Sequence, residues 1–524
     1  MNGDQIASGG RSRQIVLIAM TVANAMILVD QTAVPLALPS IEKQFGVGTQ
    51  VAQWVLSASL LSLSGLLILG GRLGDLFGRR KVFVIGAVGF SAASAVGGLA
   101  PDFPLLLAAR VVQGAGGALM LPGSVAIVNR TFPGAERGKA LGTMGGVAAI
   151  AGALGPTIGG ALTTAVSWRL VLLVNVPLAI VCLVATLSAV PRDDEREGAA
   201  HVDFLGAALL CLAIVALVFG LTEVQSAPLG SLSVIGPVVV ALVSAAGFLW
   251  WERRAADPLV DLGVLRRTPN YLGAVLSQAL AGSVEMGLGL IFPLLLILDL
   301  GMSPFVAGLA LIPVTVPMVL LSTMVGRWYD KSGGRPPLVI GFGLLALSGL
   351  VLGVGVHLLQ PAAPNYLYLL PGLLVFGTGL AFVLTACDPV SLDSVDEDLA
   401  GQVSGVSATA EQAGGAIGIA GLYAIFHGVY VRRLQHLTAS GSTSHLTPHQ
   451  GQQLRQALDA AEQTGLQPHH FNPSLVRFLI PAFDASKLGY AAVFFSVLVI
   501  SALGGLGAWW LVRSPLEVNQ PPAD

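Results

Sequence analysis

The chain has 524 residues, of which 54% are hydrophobic and 11% charged, with a formal net charge of -2. So few charges cannot solvate the surface of a water-soluble protein of this length, and with a near-neutral balance no basic field points to nucleic acid. Cys182, Cys211 and Cys387 show no CxxC spacing, which argues against a disulfide framework or a metal site built on cysteine.

In chain order, the first apolar run covers about 15–38, longer than the hydrophobic region of a cleavable signal and without a small-residue cleavage site. Further runs of roughly 20 apolar residues, the length that crosses a bilayer as a helix, follow. They lie at 51–71, 82–100, 104–128, 139–163, 170–190, 204–222 and 232–251. A second series occupies 270–298, 304–326, 337–358, 366–390, 402–431 and 486–513. The expectation is therefore an all-α polytopic membrane protein with fourteen spans.

The distribution of Lys and Arg orients the spans. With a cytoplasmic N-terminus, Arg72, Arg79, Arg80, Lys81, Arg130, Arg137, Lys139, Arg253, Arg254, Arg266, Arg267, Arg327, Lys331 and Arg335 all fall on the cytoplasmic side. The short outer loops then carry only Lys43 and Arg169, as the positive-inside rule demands. Both termini are expected in the cytoplasm. The loop at 432–485 is the one sizeable extramembrane segment, with a helix signal from Thr447-Pro448 to Gly465. It holds His436, His445, His449, His469 and His470, whose spacing fits no metal-ligand pattern.

A ten-residue repeat organises the chain. Gly71-Arg72-Leu73-Gly74-Asp75-Leu76-Phe77-Gly78-Arg79-Arg80 returns as Gly326-Arg327-Trp328-Tyr329-Asp330-Lys331-Ser332-Gly333-Gly334-Arg335, identical at five positions. Each copy follows a span: the second in one case, the tenth in the other. The chain thus divides into an N-terminal tail (1–14), six spans (15–190), two additional spans (204–251), six more (270–513) and a C-terminal tail (514–524). Such repeats underlie alternating access in secondary transporters. Within each copy the glycines allow a tight turn, and the Asp can bond helix N-terminal amides or arginines, forming a latch at the cytoplasmic mouth.

The Gly71–Arg80 stretch resembles the signature loop of the major facilitator superfamily. Asp30 through Pro39, Arg110-Val111-Val112-Gln113-Gly114, Gly155-Pro156-Thr157-Ile158-Gly159-Gly160 and Trp168-Arg169 through Asn175-Val176-Pro177 are similar to further motifs of its fourteen-span drug:proton antiporter family. The resemblance implies two six-helix halves plus two additional helices in a bacterial cytoplasmic membrane. It implies multidrug efflux driven by the proton gradient without a cofactor, with small lipophilic or cationic molecules as substrates. It also implies that Gly155, Pro156, Gly159 and Gly160 form a hinge or seal that favours export, whereas the residues alone fit ordinary close helix packing equally well.

Ionisable groups within spans are the remaining candidates, because each costs kilocalories unless paired or used. Asp30 and Arg110 lie at similar depth in spans one and four, so they can pair. The resemblance gives Asp30 a proton or substrate role and Arg110 a part in proton coupling; a purely structural pair is the alternative. Glu285 sits near the middle of span nine with no Lys or Arg at comparable depth in spans nine to fourteen, which makes it the leading candidate for the proton carrier or the cation-binding acid; a protonated glutamate that only hydrogen-bonds is the alternative. Glu411, a third of the way into span thirteen, departs from the family pattern and offers a second protonation site or a vestibule wall. Export of one dedicated metabolite, lipid or self-made antibiotic is an alternative in the same fold. A membrane-embedded enzyme or receptor is remote, since HExxH, GxSxG and Walker motifs are absent from the sequence.

Overall fold

The computed structural model describes residues 10–132, 135–192, 203–224, 227, 230–255, 258–360, 365–395, 400–439 and 479–513. Among them the regular structure is helical throughout. Thirteen helices are long and apolar enough to cross a membrane, and fourteen when Ala140–Gly152 and Leu154–Ala165, which meet at a 41° bend, count as one span. The spanning helices of the first half are α1 (Gly10–Phe45), α2 (Trp54–Phe77), α3 (Arg79–Gly98), α4 (Phe103–Thr131), α5 (Ala135–Ala165) and α6 (Asn175–Ala189). An accessory hairpin follows, α7 (Phe204–Glu223) and α8 (Leu232–Glu252). The second half comprises α9 (Pro269–Pro293), α10 (Ile312–Ser332), α11 (Arg335–His357), α12 (Leu370–Leu392), α13 (Ala400–Ala439) and α14 (Leu479–Leu511).

Several helices outrun the apolar stretches that announce them. α1 has 36 residues and α13 has 40, so at 1.5 Å per residue both are longer than the ~30 Å hydrocarbon layer. Hydropathy marks only the length immersed in lipid, whereas helical hydrogen bonding continues beyond it. For this reason α13 and α14 extend into the segment 432–485 expected as a loop. The 447–465 helix signal and His445, His449, His469 and His470 lie outside the described residues, as does the side chain of His436.

Within the first half α4 packs on α2 and α3, and α1 on α5 and α6; within the second, α9 packs on α13 and α12, and α11 on α12 and α14. The hairpin lies outside both halves, with α7 against α2 and α13. The two turns of the repeat lie on one face of the bundle, called the basic face below. On the opposite, far face a single apolar cluster runs through both halves, joining Leu36, Leu38, Val55 and Leu60 to Leu290, Leu294, Leu311 and Tyr423. Towards the basic face the first half keeps a separate cluster of its own, including Met20, Phe83, Phe90 and Met120. The halves are therefore joined at the far face by this cluster, and towards the basic face Ile68 of α2 shares a smaller one with Val403 and Val406 of α13.

Candidate functional site

Two polar clusters interrupt the apolar interior, one in each half. In the first, glycines bring the helices close enough for short polar side chains to meet. Gly114 of α4 abuts the Ser59 carbonyl of α2, and Gly116 abuts the backbone of Phe90 and Gly86 on α3. Arg110, on the same helix, is 2% exposed and reaches into this contact. Its Nη1 donates to Asp30 Oδ2 at 2.6 Å and to Gln113 Oε1 at 2.6 Å, and its Nε donates to the Val55 carbonyl at 2.8 Å. Asp30 Oδ1 accepts from Gln113 Nε2 (2.9 Å) and Asn175 Nδ2 (3.0 Å), and Gln113 also donates to Ser94 Oγ (2.9 Å). The buried carboxylate therefore has a cation and two amides as donors, which offsets the large cost of removing it from water.

The second cluster carries no cation. Glycines again set the geometry: Gly282 of α9 lies on the backbone of Glu411, while Gly414 and Gly418 of α13 lie on the backbone of Ala279 and Ser283. Glu411 accepts a hydrogen bond from Gln278 Nε2, and the neighbouring Gln412 Oε1 accepts one from Gln31 Nε2 of α1 at 3.0 Å. This last bond crosses from one half to the other, one residue from Asp30 and one from Glu411. Glu285 is within electrostatic reach of Glu411, and its Oε2 is buried without a hydrogen-bond partner. Chemically the arrangement is a pair of carboxylates that can accept a proton or a cationic ligand. Asp388, at the basic-face end of α12, is exposed.

The repeat produces matching backbone geometry. Gly78 and Gly333, its equivalent residues, have φ of +98° and +73°, conformations that L side chains rarely adopt. Each ends the second helix of its half and lets the chain reverse into the third. Arg79 Nη1 donates to the Ala126 carbonyl (3.5 Å) and Arg80 Nη2 to the Leu187 carbonyl (2.8 Å), tying the first turn to α4 and α6. In the second turn Arg335 stacks over Trp509 of α14, with 5.2 Å to the ring centre, and Asp330 is exposed. Gly71 faces Pro122, and Gly326 lies near Thr385. The Asp75 side chain lies outside the described residues.

The Gly155–Gly160 segment of α5 has two neighbours. Gly155 and Gly159 lie against Thr32 and Ala33 of α1, while Gly160 lies against the Pro304 carbonyl and Pro156 against Gly308 of the second half. Pro156 cannot donate to the Gly152 carbonyl four residues earlier, and the 41° bend falls between Gly152 and Leu154. Thr32 Oγ1 donates to that freed carbonyl instead, at 2.9 Å. Pro156 and Gly160 thus lie in the packed far-face contact between the halves, while Gly155 and Gly159 pack within the first half.

Sequence reasoning named the four charged residues but missed the amides that position them. Gln113, Asn175 and Gln31 stand inside the quoted motifs without an assigned role, and Gln278 carries no motif signal. Asp299, at the far-face end of the π-helical turn after α9, was also missed; it is 8% exposed and accepts from Ser486 Oγ at 2.6 Å. Among the described residues no group of three or more His, Cys, Asp or Glu side chains could hold a metal ion.

Comparison with known proteins places the chain in a family. Residues 20–419 match the family model described as Major Facilitator Superfamily. The puromycin resistance protein pur8 of Streptomyces alboniger is 34% identical over 83% of this chain and 86% of its own length. The tetracenomycin C resistance and export protein of Streptomyces glaucescens is 34% identical over 79% of this chain and 76% of its own. The multidrug resistance protein Stp of Mycobacterium tuberculosis is 32% identical over 78% of this chain and 75% of its own. Among solved structures, a bacterial homologue of the human lysosomal transporter Spinster, inward-facing and unoccupied, matches with a TM-score of 0.65 at 16% identity, covering 98% of this chain and all of that one.

Proposed function

Because this chain belongs to the major facilitator superfamily, we propose that it exports small hydrophobic or cationic molecules from the cytoplasm in exchange for protons. It is a multi-pass membrane transporter, not an enzyme. In this reading the membrane is the bacterial cytoplasmic membrane. In this reading the positive-inside rule puts the basic face on the cytoplasmic side.

The observation that carries proton coupling is Glu285, with its buried, unpartnered Oε2 beside Glu411 and no Lys or Arg in α9, α12 or α13 up to Val431. A carboxylate so placed is stabilised either by a proton or by a cationic substrate, and the two compete. Protons taken up from outside displace the substrate there; their release to the cytoplasm resets the site. One elementary charge crossing 100 mV contributes about 2.3 kcal/mol to the cycle. The Asp30–Arg110 pair is the fixed counterpart against which the second half moves, with Gln31–Gln412 as the contact between them.

The test is substrate-induced proton flux in proteoliposomes with a panel of lipophilic cations, neutral drugs and lipids. Glu285→Gln is expected to abolish proton-coupled efflux while the protein remains folded and monodisperse. Unchanged transport would sink the assignment. A second reading, dedicated export of one metabolite, is supported by relatives named for a single antibiotic, puromycin or tetracenomycin C. Growth of an efflux-deficient host across a drug panel separates one substrate from many.

A further inference from the structure

We infer that Asp203 and Glu252 bind one proton between them at the basic-face end of the accessory hairpin. This proton holds the hairpin to the segment that leads into the second half. The site lies apart from Glu285 and Glu411, and it does not depend on what the molecule carries.

The hairpin brings its two ends together, since Asp203 caps the start of α7 and Glu252 is the last residue of α8. Asp203 Oδ1 accepts from the Gly206 amide at 2.8 Å and from Trp251 Nε1 at 2.7 Å. Glu252 is 4% exposed, and its Oε2 accepts from the Val260 amide at 3.2 Å. Each carboxyl group thus has one oxygen supplied with a donor. The other two, Asp203 Oδ2 and Glu252 Oε1, are buried without a hydrogen-bond partner. They converge: both lie within 2.9 Å of the point where a Cβ on Gly206 would stand. Only glycine leaves that space to the two oxygens.

Two acceptors that face one place with no donor between them lack one hydrogen. A pair of ionised carboxylates there would repel, and burial adds to the cost. A single shared proton removes one charge and gives both oxygens a partner at once. Asp203 is the member that stays ionised, because it stands at the N-terminus of a 20-residue helix and takes a first-turn amide there. The proton therefore sits on Glu252 Oε1 and is donated to Asp203 Oδ2.

The surrounding charges do not replace it. Arg254 stacks over Trp250, with 4.1 Å to the ring centre, and Arg253, Arg266 and Arg267 are exposed. Arg72, one turn beyond Ile68 on α2, forms no ion pair with either carboxylate. Asp261 caps the short helix Leu262–Arg267, and Glu411, further along α13, accepts from Gln278. Tyr271 of α9 is buried in the neighbouring apolar cluster. A metal ion asks for at least four ligands, and among the described residues no third His, Cys, Asp or Glu joins this pair.

The consequence reaches both halves. Leu259 and Val260 belong to the cluster in which Ile68 of α2 meets Val403 and Val406 of α13. Glu252, by holding the Val260 amide, fixes the segment packed into that junction. As the pH at the basic face rises and the proton leaves, the two carboxylates part and the Val260 amide opens to exchange.

Hydrogen exchange of the full-length protein in proteoliposomes, read by mass spectrometry across a pH series, tests the site. After correction for the intrinsic pH dependence of amide exchange, the peptide carrying Val260 should lose protection severalfold as the pH rises. Glu252→Gln, whose amide donates to Asp203 at every pH, should keep the peptide protected throughout. Gly206→Ala, which puts a methyl group between the oxygens, should leave it unprotected throughout. Infrared difference spectra should show a protonated-carboxyl band that vanishes over the same pH range in the wild type and is missing from Glu252→Gln. A wild-type peptide whose protection ignores pH, or a transition that survives in Glu252→Gln, overturns the proposal. Protection that instead follows Mg2+ or Na+ concentration at fixed pH also overturns it, and makes the pair a metal site. None of these readouts involves transport, so failure of the exporter reading leaves them unchanged.

Discussion

In the first half, Asp30 accepts hydrogen bonds from Arg110, Gln113 and Asn175, and the whole group is buried; in the second, Glu285 keeps an oxygen buried without a partner and Glu411 is held only by the neutral Gln278. The same helical scaffold, doubled in the chain, thus carries one cluster with its charge balanced and one without a balancing cation. In a balanced buried pair, removing either charge strands the other. A carboxylate without a counter-ion is the group that protons and cationic substrates can bind in turn. The proposed division of labour, with the first cluster supporting the structure and the second taking up the ligand, rests on this difference.

Substitutions can break this comparison. The largest effect is expected from Arg110→Ala, which leaves Asp30 buried and uncompensated at a cost of about 3–5 kcal/mol. Thermal unfolding in detergent should show a large loss of stability, partly restored in the Arg110→Gln, Asp30→Asn double variant. If Arg110→Ala instead kept its melting temperature and lost only transport, the first cluster would serve transport and not stability, and the contrast would fail. Next comes Gly418→Leu, which forces α13 away from the Ser283 backbone; about 1–3 kcal/mol of overpacking is expected, read as lower melting temperature and loss of efflux together. Glu411→Gln should change stability little, since its partner Gln278 can still donate, but should alter the proton-to-substrate ratio measured in proteoliposomes. The smallest effect belongs to Gln31→Ala. It removes one amide bond between the halves, worth about 0.5–1.5 kcal/mol, and should appear as a shift in the population of the far-face-open state by spin-label distance measurements, with the fold intact.

Much of this was legible in the sequence, for physical reasons that also explain the remainder. A bilayer demands about twenty apolar residues per helix, so the spans announce themselves one by one. The Asp30–Arg110 pairing could be anticipated because two opposite charges at matching depth have few other partners. Gln278 could not, since an amide on an apolar helix is written identically whether it faces lipid, backbone or a carboxylate. The bend in α5 was partly visible as Pro156, but the donor that satisfies the Gly152 carbonyl comes from Thr32, 120 residues away. The position of α7 and α8 left no mark at all. Both their lipid-facing and protein-facing sides are apolar, so periodicity cannot say which neighbour they choose.

The apolar cluster that fuses the halves at the far face has a thermodynamic consequence. To open that side the protein must part Leu36, Leu38, Val55 and Leu60 from Leu290, Leu294, Leu311 and Tyr423 and expose them to water entering at that face. Hydrating apolar surface raises heat capacity, so the free-energy difference between the two states curves with temperature instead of varying linearly. The resting preference of the transporter therefore has a temperature of maximum strength, and cooling below it loosens the far-face closure by the same physics that weakens a protein core in the cold.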